Sequence, residues 1–534
     1  ADDTPDWHGA PAIMIQNYCD LTLENMIVTG GDETVYTFSN NCGNTVIKDS
    51  TINAGKAKGY GSGPFAFDVC RYSTYPSVSV TVQGSSVING DVEISGTIGE
   101  GQSRQLNIED GTFNGRFIVS NTPANISITG GKFSSDVSAY VAEGYVQNEN
   151  GTVEQLGETN AVAKIDDTYY KTLADAVAAA QGGATVKLLK DVTEDVVIPA
   201  DQTITLDLNG KKLTNVQSDT ITVTKGATLT VQGKGIVDNV TNAKAPVYNN
   251  GITTLNGGKY TRSAEAANTT SSSGGNSYYN ILNHGVMTIN EGVEVYSSGH
   301  FSSLVANGYY NYSDTQKGDR TAYIEGVGHA APELTINDGK FSGGINTIKN
   351  DDNATLTINN GEFSNVTQAV VQNNNIATIN GGTFDADGYH ALENWKYNGN
   401  YNAGNLTVTN GKFAGSIATN AAVSLKISGG LYTENPSKYL ADSVKDGYKY
   451  AAVKHASPYL FEVKEILDEN VEVIPNVGAA EAKSAAGVVN EADVAKVDAA
   501  AKVVAAPKIS EAAAVVADKV DAKQYTEKAT NITK

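Results

Sequence analysis

One eight-residue phrase recurs along the chain, its interior alternates strictly between apolar and polar positions, and a Gly-x-Phe or Gly-x-Tyr step closes each copy. These three observations predict an all-β fold: tandem right-handed parallel β-helices (solenoids), with short capping helices and a helical C-terminal tail. The phrase occurs as LNIEDGTF (106–113), ISITGGKF (126–133), TTLNGGKY (253–260) and LTINDGKF (334–341). It returns as LTINNGEF (356–363), ATINGGTF (377–384), LTVTNGKF (406–413) and LKISGGLY (425–432). Gly339, Gly361, Gly382, Gly411 and Gly430 are spaced 22, 21, 29 and 19 residues apart, the period of one β-helix coil. VMTINEGVEVY (286–296) is a degenerate copy.

Alternation in Leu-Thr-Ile-Asn puts Leu and Ile on one face, where they stack on the coil beneath at roughly 4.8 Å. The Gly allows the positive φ of a corner, and the aromatic after it is expected to cap the next face. Asn256, Asn290, Asn337, Asn359 and Asn380 each lie two residues before that Gly, so they are expected to form a stacked amide ladder. No Leu-x-x-Leu-x-Leu frame or Trp-Asp signature points to a horseshoe or a propeller.

At 534 residues the chain exceeds one ordinary core, which suits an elongated array. Its formal charge of −21 argues against nucleic acid, because no basic stripe faces the phosphates. No apolar run reaches the roughly 20 residues of a membrane span, so no membrane insertion is expected. The start Ala1-Asp2-Asp3 reads as a mature end after signal-peptide removal. Cys19, Cys42 and Cys70 are spaced 23 and 28 apart, about one coil. A Cys19–Cys42 disulfide, with Cys70 as the alternative partner, or three inert thiols, are the two expectations.

The pattern stops after residue 156 and restarts through AKIDDTYYKTLADAVAAAQGGATVKLLKDV (163–192). Thr172–Ala180 reads as an amphipathic helix stopped by Gly182-Gly183, fit to plug an open coil. Both arrays end alike: Gly-Lys-Phe or Gly-Leu-Tyr, a short helix near Ala139-Tyr140 or Lys438-Tyr439, then Gly-Tyr and a hairpin. The predicted domains are a solenoid over 1–158, a second over 159–463, and an Ala/Val-rich helical tail over 464–534. The first shows no opening helix like that of 172–180: either Trp7 and its neighbours form the cap, or an upstream portion has been lost, or the coil is an open strand edge that invites assembly.

The phrases TYYKTLADAVAAAQ, VKLLKDV, TITLDLNGKKLT and GKFSSDVSAYVAEGY resemble repeat-rich surface proteins of gut Firmicutes. Those are similar to the pectate-lyase-like right-handed β-helix superfamily. The resemblance implies an adhesin-like protein at an extracellular bacterial cell surface. The chain departs from such proteins in showing no Leu-Pro-x-Thr-Gly sorting signal and no cell-wall binding repeats.

A polysaccharide hydrolase needs two carboxylates about 5–9 Å apart. Asp351-Asp352, with Asp219 or His300, are the candidates, yet they lack the order and the Gly-His-Gly of polygalacturonase-type sites. They are expected to form a solvated turn. The six histidines show no metal-ligand spacing, so no metal, cofactor or catalytic residue is expected. Where the coils swell, at 261–281, 297–333 and 385–405, they carry Tyr278, Tyr279, Tyr309, Tyr310, Tyr312, Tyr323, Tyr389, Trp395, Tyr397 and Tyr401 among Ser, Gly and Asn. Insertions in a solenoid tend to project from one side, and this composition suits adaptable recognition. The expected function is therefore binding of a glycan or protein partner through these loops. A self-assembling filament or surface-layer subunit is the alternative, followed by a polysaccharide lyase or hydrolase, or a phage fibre.

Overall fold

The computed structural model describes residues 12–58, 63–120, 125–271, 273–309, 331–396, 402–420 and 422–468. It is a parallel β-helix fold. Among the described residues the first solenoid winds five coils, and each coil gives one strand to each of three all-parallel sheets. Ile13–Asn17, Tyr36–Asn40, Phe65–Cys70, Asp91–Ser95 and Phe117–Val119 build one wall. Leu21–Glu24, Gly43–Lys48, Ser77–Gln83, Ser103–Ile108 and Asn125–Ile128 build the next. Three-residue strands from Ile27–Thr29 to Thr112–Asn114, then Lys132–Phe133, close the triangle. Alternation sets the register: Leu23, Ile47, Val82, Ile108 and Ile128 fall in one inward column.

The second solenoid opens as the sequence indicates. Helix α1 (Leu173–Ala179) buries Leu173, Ala176 and Val177 over the first coil. Thr172 caps it, its Oγ1 accepting from the Asp175 N–H at 3.0 Å. The Glu194 carboxylate, one coil on, accepts from the N–H groups of Leu173 and Ala174 at 3.0 Å each, tying the plug to the wall.

Its sheet 1 stacks ten parallel strands from Thr185–Leu188 to Ser424–Ile427. Their inward column runs Val186, Leu206, Val231, Leu255, Ile289, Ile336, Ile358, Ile379, Val408 and Ile427. Sheet 2 includes Lys212–Thr214, Ile236–Asp238, Gly258–Thr261, Val293–Tyr296, Lys340–Ser342 and Glu362–Ser364. Sheet 3 includes Val247–Asn249, Ile281–Asn283, Val305–Asn307, Asn346–Asn350 and Ala369–Asn373. The long strands Thr383–Asn394 and Lys412–Thr419 run through both, joining sheets 2 and 3. An antiparallel hairpin, Tyr448–Lys454 and Phe461–Leu467, lies against Gly430–Tyr432 and ends the stack. The hairpin continues past the boundary expected at residue 463. The tail from residue 469 lies outside the described residues. The two solenoids have separate cores, one spanning Phe38 to Val153 and one Ala163 to Val463.

The aromatic of the recurring phrase does not cap a face; it is core. Phe341, Phe363, Phe384, Phe413 and Tyr432 stack in one buried column, with centroids 4.8–4.9 Å apart and planes within 11°. The phrase's glycine is needed for this as well as for the corner. Gly361 has φ +133°, and a Cβ there would lie 2.9 Å from its own Phe363 ring. Gly411 stands to Phe413 in the same way at 2.8 Å.

The ladder read from the sequence is present on the solvent side of sheet 1. Asn290 donates to Asn256, Asn337 to Asn290, Asn359 to Asn337 and Asn380 to Asn359, at 2.7–2.9 Å. A second ladder, fully buried, closes sheet 3: Asn249 donates to Asn283, then Asn307, Asn350, Asn373 and Asn394 follow, each step 2.7–2.8 Å. The two ladders donate in opposite directions along the axis.

The Cys19–Cys42 bridge is not formed, nor one to Cys70; all three thiols are free. The Cys19 thiol turns to Asn17 Oδ1 at 3.3 Å. Val69 lies opposite Asn40, so Cys70 falls one position out of step with Cys42.

Candidate functional site

The outward positions of sheet 2 form the floor of a groove across the middle of the second solenoid. Strict alternation sends Val295, Phe341 and Phe363 inward and their neighbours outward. One outward row reads Lys259, Glu294, Lys340, Glu362 and Thr383; the next reads Thr261, Tyr296, Ser342, Ser364 and Asp385. Opposite charges alternate along the first row, with Lys259–Glu294 at 2.5 Å and Lys340–Glu362 at 3.0 Å. Tyr296 stands 44% exposed, with Lys259 Nζ 5.5 Å from its ring centroid. Ser364 Oγ donates to Ser342 Oγ at 2.9 Å.

This floor opens into two adjoining clefts of about 540 and 320 Å³ that share Tyr296, Ser342 and Ser364. The smaller is edged by Asn268, His300, Asn365 and Val366. Its wall is braced from behind. Buried Arg262 donates to the Thr241 carbonyl at 3.2 Å and to Asn276 Oδ1 at 2.8 Å, and its Nε lies 3.7 Å from Glu265. Ser297 Oγ donates to Glu265 at 2.6 Å. Burial raises the Glu265 carboxyl against the opposing pull of Ser277, Ser297, Arg262 and His300. A third cleft, of about 850 Å³, lies at the end of the first solenoid. Its lining is Ser, Asn, Thr and Gln with Lys132, Asp136 and Glu149, and Phe133 is its one aromatic.

The described residues of the tyrosine-rich loops fall at two places in the coil. Tyr278 and Tyr279 sit in the corner leading into sheet 3, Tyr389 lies within the long strand Thr383–Asn394 where it passes from sheet 2 to sheet 3, and Tyr309 and Trp395 follow sheet 3 strands, in the corner beyond the buried ladder. Tyr278 and Tyr279 pack on each other at 4.8 Å and are partly buried. Tyr389 is exposed. Tyr309 is 3% exposed and stacks on His284 at 4.4 Å. Trp395 is partly buried. Tyr310, Tyr312, Tyr323, Tyr397 and Tyr401 lie outside the described residues. Tyr296 escaped the sequence reading because its coil is the degenerate copy, with Val295 in the aromatic column. The alternation Val-Glu-Val-Tyr was the signal that it faces out.

Asp351 and Asp352 do not form a solvated turn; both are buried. Asp351 pairs with Lys349 at 2.9 Å and accepts from Asn374 at 3.0 Å. Asp352 accepts from the Asn402 N–H at 2.9 Å. A different carboxylate pair is brought into register in the first solenoid, where Asp68 lies beside Glu93 on adjacent strands. Asp68 accepts from the Asn40 N–H at 2.7 Å and Ser39 Oγ at 3.0 Å, and Glu93 accepts from Tyr36 Oη at 3.0 Å. Burial outweighs those donors, and with Glu93 beside it Asp68 is pushed up to about 8.

The folded protein thus holds a proton at Asp68 that the unfolded chain releases near pH 4. Stability from this site is full below about pH 4 and is lost as pH rises toward 8. Asp68→Asn keeps the acceptor for Asn40 and removes the charge. Its melting temperature should match the parent at pH 4 and exceed it at pH 8, measured by calorimetry. Equal melting temperatures at both pH values would refute the assignment.

Among the described residues no cluster of three or more His, Cys, Asp or Glu side chains is arranged to hold a metal ion. Among the described residues no helix is long and apolar enough to cross a membrane. Compared with protein-family models, curated proteins and solved structures, the chain matches none of them.

Proposed function

We propose that this protein is an extracellular, adhesin-like module of a bacterial surface that binds a glycan along the groove of the second solenoid. The observation that carries the reading is Tyr296, an exposed ring on a flat sheet, flanked by hydroxyls and alternating charges over several coils. A sugar ring can lie on the phenol while its hydroxyls reach Ser342, Ser364, Glu294 and Lys340. The sequence resemblance to surface proteins of gut Firmicutes is in keeping with it. On a glycan array, Tyr296→Ala should lose about tenfold in affinity for any glycan the parent binds, the loss expected of an aromatic anchor. Unchanged affinity, or an array that stays blank for the parent, would remove the groove reading.

A second reading, self-assembly, is favoured by apolar surface on the first described coil, where Ile27 is 76% exposed beside Met26 at 49%. Negative-stain images showing only single particles at high concentration would discard it.

A further inference from the structure

We propose that Tyr18, Tyr72 and Tyr75 of the first solenoid form a second binding site, one that takes a pyranose ring of a neutral glycan. The three rings come from two coils that are not neighbours. Tyr18 follows the first coil's opening strand, and Tyr72 and Tyr75 lie in the corner after Phe65–Cys70 in the third coil. Between them the second coil turns in only two residues, Asn41 and Cys42, before Gly43 begins the next strand. The longer third-coil corner therefore reaches back across that short one. Tyr18 meets Tyr75 at a centroid distance of 5.3 Å and 43°, and Tyr72 at 6.3 Å and 68°.

Exposure separates this cluster from the aromatic columns. Tyr18, Tyr72 and Tyr75 are 37%, 50% and 38% exposed, whereas the column rings are buried. Nor is the cluster loose. The Tyr75 N–H donates to the Tyr72 carbonyl at 3.3 Å, closing a turn. Gln102 Nε2 donates to the Tyr75 carbonyl at 3.2 Å, while its Oε1 accepts from the Gly99 N–H at 2.9 Å. Arg71 donates to the carbonyls of Ser73 and Thr97. The corner is thus held open before any ligand arrives, which lowers the ordering cost of binding.

The chemistry of the rim selects the ligand. Phenol rings set at angles present apolar faces with hydroxyl edges, matching a sugar's C–H face and its equatorial hydroxyls. The charged side chains of these corners are engaged with backbone: Asp20 accepts from the Asn44 N–H at 2.8 Å, and Arg71 holds its two carbonyls. The surface the three rings themselves present is uncharged, and it suits a neutral sugar. This inference does not rest on the Tyr296 groove.

The test is affinity electrophoresis of the full chain in native gels containing hydroxyethylcellulose, xyloglucan, galactomannan or soluble starch. The parent should be retarded by at least one polymer. The double variant Tyr18→Ala/Tyr72→Ala should lose about tenfold in affinity for it, with an unchanged melting temperature because the rings are exposed. Tyr72→Phe, which keeps the ring, should stay within about twofold. Retardation that survives the double variant and disappears in Tyr296→Ala overturns this site and leaves the groove standing. A parent that no polymer retards overturns it as well.

Discussion

Phe363→Ala should cost about 3–5 kcal/mol of unfolding free energy, read as a shifted denaturation midpoint by circular dichroism. Phe363 is 2% exposed and lies between Phe341 at 4.9 Å and Phe384 at 4.8 Å. Truncation opens a ring-sized void, and the neighbours cannot close on it because their positions are set by strand spacing. Gly361, whose backbone the ring covers, also loses its packing partner. Because a solenoid's stability is a sum over coils and their interfaces, a break at this coil should also broaden the transition. Phe363→Leu should cost less, since most of the volume remains. A cost below about 1 kcal/mol for the alanine variant would mean the column does not hold the coils together.

The two ladders make the second prediction, through their contrast. Asn350 donates to Asn373 Oδ1 at 2.8 Å and to the Ile376 carbonyl at 2.9 Å, and it accepts from Asn307 at 2.8 Å. None of the three asparagines is exposed, so water cannot replace what Asn350→Ala removes. The expected cost is about 2–4 kcal/mol, the sum of partners stripped in a dry site. Asn359→Ala breaks the same kind of contact on the exposed ladder, where water substitutes, and should stay within about 0.5 kcal/mol. Chemical denaturation of both variants checks this, and equal costs would contradict the distinction.

Coil period, inward columns, the exposed ladder, the opening helix and the shared closing hairpin were all legible in the sequence. Each is a local pattern repeated at fixed spacing, so one strand's alternation predicts its neighbour's. The buried ladder was equally repetitive, in Val-Tyr-Asn, Ile-Leu-Asn, Val-Ala-Asn, Ile-Lys-Asn, Val-Gln-Asn and Leu-Glu-Asn, yet a polar residue closing an apolar run reads as a turn. Placing the phrase's aromatic required knowing that its glycine leaves room for the ring. The binding surfaces were least legible. Composition pointed to tyrosine-rich insertions, while the exposed rings at Tyr18, Tyr72 and Tyr75 meet only through cross-coil register, which no local window contains. Asp351-Asp352 looked solvated because its partner Lys349 lies on the preceding strand, a pairing that burial alone reveals.

Amide ladders also bear on how this chain ages. Asn256, Asn307 and Asn380 each precede a glycine, the context in which the next backbone nitrogen most readily attacks the side-chain carbonyl and expels ammonia, and hydrolysis of the cyclic imide leaves isoaspartate or aspartate. In the wound state each of those amides is hydrogen-bonded to an asparagine of the adjacent coil, and attack would have to break that bond. A coil that stays open long enough converts, and at Asn307 the new carboxylate would have to re-enter a dry column. Winding therefore preserves the chemistry that winding requires, and damage accumulates where the helix has already come apart.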